Sequence, residues 1–184
     1  SYAGGGLSCD HCQIALSHCR FVENEGEIGG GGAIRANEVG GEISHCWFER
    51  NRGIDGAGMF LNRSSPLIEW CVFLNNDGYF FGGGVFCQVY SSPTFDHCSF
   101  IGNDAHLGSG IMTAYYSEPT MTNSLVAFNV NGAGVHCDDG VWTPSYLHLS
   151  CSDVFGNEDG GYSGWIEDQT GINGNIANDP LFCD

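Results

Sequence analysis

The sequence predicts an all-β solenoid of about six coils, each roughly 26 residues long and carrying three short strands. Three observations predict it. Cys19, Cys46, Cys71, Cys98, Ser124 and Cys151 recur at intervals of 27, 25, 27, 26 and 27 residues. Phe21, Phe48, Phe73, Phe100, Val126 and Val154 follow them, and three positions further on stand Asn24, Asn51, Asn76, Asn103, Asn129 and Asn157. Finally, glycine, Ser-Pro and Asn punctuation interrupts the chain every few residues, which leaves no room for the long 3.6-period runs of a helical repeat.

Each coil can be read in order. A glycine-rich corner ends just before Leu7, Ile34, Met59, Val85, Ile111 and Val135, where positive φ costs glycine little. The first strand then alternates: Leu7 and Cys9 flank Ser8, Ile34 and Ala36 flank Arg35, Val85 and Cys87 flank Phe86, and Val135 and Cys137 flank His136. Its end residues are expected to face the core and its middle residue the solvent. A second corner is marked by Ser-Ser-Pro at 64–66 and 91–93 and Ser-Glu-Pro at 117–119, where proline's missing N–H breaks no ladder. The Cys-to-Asn stretch supplies the last strand and the last corner. There the asparagine amides are expected to hydrogen-bond from coil to coil. Six coils at a strand spacing of about 4.8 Å give a rod roughly 30 Å long.

The Gly-Gly-Gly corners, the phrase Ser-Ser-Pro-Thr-Phe-Asp-His-Cys-Ser-Phe at 91–100 and the terminal Asn phrases resemble the right-handed parallel β-helix repeats of secreted bacterial proteins, the pectin-lyase-like superfamily. The segment Cys151-Ser-Asp-Val-Phe-Gly-Asn and the stretch 171–184 resemble the closing part of such repeats in large surface proteins. The resemblance implies one right-handed parallel β-helix over 1–184, with 152–184 as a longer loop and terminal segment. It further implies an extracellular or cell-surface setting, within a larger polypeptide or assembly. It implies little about activity, because the fold carries lyases, hydrolases and adhesins alike.

Charge excludes some partners. There are 22 acidic residues against five basic ones, all arginines between positions 20 and 63, and the formal net charge is -17. Nucleic acid, whose phosphates need basic partners, is excluded as a ligand. A polyanionic glycan would be repelled unless calcium bridged the carboxylates. No run of 18 apolar residues exists, so no membrane-spanning helix is expected.

Ten cysteines invite a disulfide framework, but their positions favour thiols. Cys19, Cys46, Cys71 and Cys98 occupy one inward column, about 4.8 Å apart, wider than the usual disulfide Cβ separation of about 3.5 to 4.5 Å. Cys9, Cys87 and Cys137 form a second inward column, and Cys183 is left as a possible partner near the C-terminal end. Cys9, His11 and Cys12 have the spacing of half a zinc site, with no second half. His18, His45 and His97 each precede a ladder cysteine, with Trp70, Asn123 and Ser150 in the other rows, and read as polar corner residues.

Candidate catalytic carboxylates are Asp138 and Asp139, with Asp153 in support. Paired aspartates do acid and base work in glycoside hydrolysis. The other hydrolase signatures, Asn-Thr-Asp, Gly-His-Gly and Arg-Ile-Lys, are absent, and so is the basic residue that a lyase needs there. Glu158, Asp159, Glu167 and Asp168 could hold calcium in the terminal loop, although no twelve-residue ligand pattern supports it; no other cofactor is implied. Tyr90, Tyr116 and Trp142 recur at intervals of 26, with Tyr115 beside the middle one, each just ahead of a corner proline. They are expected to form an outward aromatic stripe suited to neutral polysaccharide. The favoured reading is a non-catalytic surface, adhesive or matrix module. The alternative is a polysaccharide hydrolase or lyase. Neither terminus shows an amphipathic cap, so end-to-end self-association is a further expectation.

Overall fold

Turn residues at every corner and short β-branched or aromatic strands between them make the chain coil rather than fold back. The computed structural model describes residues 4–26, 30–138, 140 and 143–182, and in these the chain winds as a parallel β-solenoid. The first sheet stacks Leu7–Asp10, Ile34–Asn37, Met59–Asn62, Val85–Gln88, Ile111–Ala114, Val135–Cys137 and Tyr162–Gly164. The second stacks Gln13–Ser17, Gly40–Ser44, Leu67–Glu69, Thr94–Asp96, Thr120–Thr122 and His148–Ser150. The third stacks Arg20–Val22, Trp47–Glu49, Val72–Leu74, Ser99–Ile101, Leu125–Ala127 and Asp153–Phe155. Every pairing is parallel, and the register keeps like residues in columns, as in Phe48↔Phe73↔Phe100↔Val126↔Val154.

The interior consists of ladders. Phe21, Phe48, Phe73 and Phe100 stack face to face with centroids 5.1, 4.7 and 4.7 Å apart, and the last three are fully buried. Offset stacking at the strand spacing lets each ring bury its faces on its neighbours. The asparagines close one corner. Each Oδ1 from Asn51 to Asn157 accepts from the preceding rung's backbone N–H and amide, and each Nδ2 from Asn51 onward donates to a carbonyl one coil back. Serines close another corner: Val39 N donates to Ser64 Oγ, Ser64 N to Ser91 Oγ and Ser91 N to Ser117 Oγ at 3.0, 3.0 and 3.1 Å. Cys46, Cys71 and Cys98 are buried free thiols in the third corner column. The column continues as Ser124, Ser152 and Asn175 through N–H bonds of 3.0, 3.2 and 3.1 Å.

That column corrects the sixth row of the sequence alignment. One extra residue before position 152 puts Ser152 in the cysteine column and turns Cys151 out to the corner, where it is exposed. Cys9 also departs from the expectation of a free inward thiol, since it is bonded to Cys12 with Cα atoms 6.3 Å apart. In the third to fifth coils the outward middle residues of the first sheet are not solvated, unlike exposed Ser8 in the first strand. Phe60, Phe86 and Met112 are 5%, 3% and 3% exposed and form a second apolar cluster with Ala114, flanked by Phe81. Phe81 ends a strand of an additional two-stranded sheet, Arg52–Asp55 with Asp77–Phe81, which the three-strand reading of each coil did not include. Residues 173–176 pair with the last coil where its second and third sheets meet. Cys151 N and Val154 N donate to Asn173 O and Ile176 O, Ile176 N donates to Ser152 O, and Asn175 Nδ2 donates to Leu149 O. Cys183 lies outside the described residues.

Candidate ligand-binding corners

The corner between the second and third sheets turns on a single residue in the left-handed region. His18, His45, Trp70, His97, Asn123 and Cys151 have φ of 55, 52, 53, 52, 50 and 49°. A side chain there costs about 1–2 kcal/mol, and the sequence reading had left positive φ to glycine. Here the cost is offset by the bond each corner N–H makes to the next coil, such as Trp70 N to Asp96 O at 3.0 Å. It is offset too by ring stacking: His18–His45 at 4.9 Å, His45–Trp70 at 6.2 Å and Trp70–His97 at 4.0 Å. The left-handed turn points every ring out of the rod.

Beyond His97 the aromatic ladder gives way to Asn123 and Cys151, and a groove of about 550 Å³ opens beside it. Its floor is the outward face of the third sheet, Ser99, Leu125 and Asp153, and the terminal segment walls it with Gly174, Ile176 and Pro180. Asp96 organises the rim. Its Oδ1 accepts from Asn123 Nδ2 at 2.8 Å and from Thr122 Oγ1 at 2.7 Å, and its Oδ2 lies 3.0 Å from His97 Nδ1. Those bonds, that from Asn123 foremost, hold its carboxyl below the usual carboxylate range. Asp153 Oδ1 accepts from Asn178 N at 3.1 Å, which ties the terminal segment to the groove. The regular spacing of His18, His45, Trp70 and His97 was the available signal for this corner. The wall was not legible, because Asn175 continues the cysteine column as neither Cys nor Ser, so the residue spacing does not reveal that 171–180 stack on the last coil.

The corner after the first sheet carries the tyrosines. Tyr90 and Tyr116 stack with centroids 5.2 Å apart and planes 9° from parallel. Tyr90, Tyr115 and Tyr116 are 64%, 48% and 41% exposed, each in the left-handed region. Trp142, the expected continuation of the stripe, lies outside the described residues. A third exposed aromatic group, Tyr79 and Phe80 against His106, sits on the corner between the third and first sheets.

The carboxylates are dispersed. Asp138 follows the first-sheet strand Val135–Cys137, its N–H bonded to Thr113 O, whereas Asp153 opens the third-sheet strand Asp153–Phe155. Asp139 lies outside the described residues. Glu158 Oε2 accepts from Asn131 N at 2.8 Å. Asp168 Oδ1 accepts from Thr170 N at 2.9 Å, and the Thr170 side chain, foremost, together with that backbone bond holds the Asp168 carboxyl below the usual carboxylate range. Asp159 is an exposed turn residue, and Glu167 is exposed in the irregular stretch after Tyr162–Gly164. Among the described residues no three His, Cys, Asp or Glu side chains converge as a metal site would require. His11 Nε2 lies 3.1 Å from Glu38, while Cys9 and Cys12 are joined to each other, so the zinc half-site is not assembled.

No curated protein and no solved structure matches the chain. The family model described as "right handed beta helix region" matches residues 5–177. Since that span takes in every ladder described above, the chain belongs to the right-handed β-helix family.

Proposed function

We propose that this β-helix is a non-catalytic extracellular module that holds neutral polysaccharide along its tyrosine edge. The carrying observation is the parallel, solvent-exposed Tyr90–Tyr116 pair with Tyr115 beside it. The two rings share their inner faces, so the edge presents phenol hydroxyls and ring margins in a row at the strand spacing. Sugar hydroxyls and C–H groups are complementary to such a row. An acidic surface with no Lys or Arg beyond Arg63 favours an uncharged chain over a polyanionic one. Asp153 opens a third-sheet strand whereas Asp138 follows a first-sheet one, so Asp153 does not face Asp138 across one bond as an acid–base partner would.

The test is retardation in native gels cast with neutral polysaccharide, comparing wild type with Tyr90→Ala/Tyr116→Ala. Removing a stacked aromatic contact costs about 0.5–1.5 kcal/mol beyond its area, so retention should fall about tenfold with an unchanged circular dichroism spectrum. Equal retention would remove the tyrosine edge as the site.

A further inference from the structure

We infer that the groove beside Trp70 is a second saccharide subsite, which takes a short stretch or an end of a neutral chain; this rests on the carbohydrate reading above. The groove of about 550 Å³ lies within the range of small-ligand sites, about 300–1,000 Å³. It differs from the open tyrosine edge in having a floor and a wall. Leu125 below and Ile176 at the side offer apolar surface to the C–H face of a pyranose. Around that surface the polar groups can match hydroxyls. With His97 Nδ1 donating to Asp96, the ring's Nε2 is an acceptor. Asn123 retains its Oδ1 and a second amide hydrogen after bonding Asp96. Asp153 brings a carboxylate.

Trp70, 52% exposed, lies between His45 and His97 at 6.2 and 4.0 Å, so its faces are occupied and its edge is what meets the ligand. An aromatic edge is electropositive and suits hydroxyl oxygens. No lysine or arginine lines the groove, while Asp153 does, so an acidic sugar meets repulsion and a neutral one does not.

The experiment follows the Trp70 indole N–H resonance by NMR during titration with a neutral hexasaccharide, cellohexaose or mannohexaose, and separately with hexagalacturonate. The neutral probe should shift it and the acidic probe should not. Leu125→Arg, an outward substitution that fills the floor, followed by the same resonance, and Trp70→Ala, followed by calorimetric titration, should each weaken neutral binding tenfold or more while both keep the wild-type circular dichroism spectrum. If the tyrosine pair governs retention on polysaccharide but Leu125→Arg and Trp70→Ala bind as wild type does, the subsite is overturned and the edge stands. If neither neutral probe binds, both fall. A shift by hexagalacturonate equal to that by the neutral sugar would overturn the charge argument and the subsite with it.

Discussion

Replacing Asn103 by alanine should cost about 3 kcal/mol. Asn103 Oδ1 accepts from Asn76 N at 3.0 Å and from Asn76 Nδ2 at 2.9 Å, and its Nδ2 donates to Phe73 O and Asn129 Oδ1, both at 3.0 Å. Asn76 Nδ2 keeps its bond to Phe48 O, and Asn129 Oδ1 keeps the Asn103 backbone N–H. One buried group, Asn76 N–H, is therefore orphaned at about 1–3 kcal/mol, while Phe73 C=O keeps its ladder bond from Ile101 N–H and loses one ordinary bond, about 0.5–1.5 kcal/mol. Asn24, the first rung, is a control. Its Nδ2 donates to Asn51 Oδ1 at 2.8 Å, and among the described residues nothing donates to its own side-chain oxygen. Asn24→Ala should thus cost only one ordinary bond, about 0.5–1.5 kcal/mol. Urea unfolding followed by circular dichroism would give both, with hydrogen exchange locating the loss in the coils that meet at Asn103, since repeat proteins can open locally. Equal losses for the two variants would refute the view that rung position, and not asparagine itself, sets the cost.

Stability should also fall at high pH. Burial pushes the Cys46 and Cys137 thiols up to about 11 from 9.0, and burial, then the nearby Asp168 and Asp153 carboxylates, pushes the Tyr162 phenol up to about 12. Because the unfolded chain ionises first, this contribution is whole below pH 9 and is lost as pH rises through about 11, at about 1.4 kcal/mol per unit per thiol. A melting temperature flat from pH 8 to 11 would contradict it. Native-state thiol titration should label exposed Cys151 first and leave buried Cys71, Cys87 and Cys98 unlabelled until unfolding; early labelling of the buried set would show that the ladder is open. Gly84→Ala should prevent its coil from closing, because the new Cβ would lie 2.4 Å from Gly110 O and 2.9 Å from Phe100 Cδ1; a variant as stable as wild type in urea would count against the packing described.

What the sequence shows and what it hides divide along the repeat. Columns such as Phe48, Phe73 and Phe100 are legible because a parallel stack sets like residues on like, and the spacing alone puts them in register. The serine corner at Ser64, Ser91 and Ser117 repeats as clearly, but reads as turn chemistry until its hydroxyls are seen to cap the coil before. Where a residue is inserted, the reading slips, and that is how Cys151 and Ser152 exchanged places. Phe86 illustrates another limit: alternation gives the side of the sheet, while Phe81, which helps bury this outward ring, comes from a different corner. The groove beside Trp70 depends on the segment 171–180, where Asn175 joins the cysteine column without being Cys or Ser, so the residue pattern does not announce it.

The central claim is that the rod holds a neutral glycan without cutting it. One experiment addresses both halves: incubation of the native protein with neutral and acidic polysaccharides, with and without calcium, scoring retained protein and newly formed reducing or unsaturated ends together. The account predicts retention on a neutral chain with no new ends. Release of new ends, or no retention on any neutral chain, would contradict it.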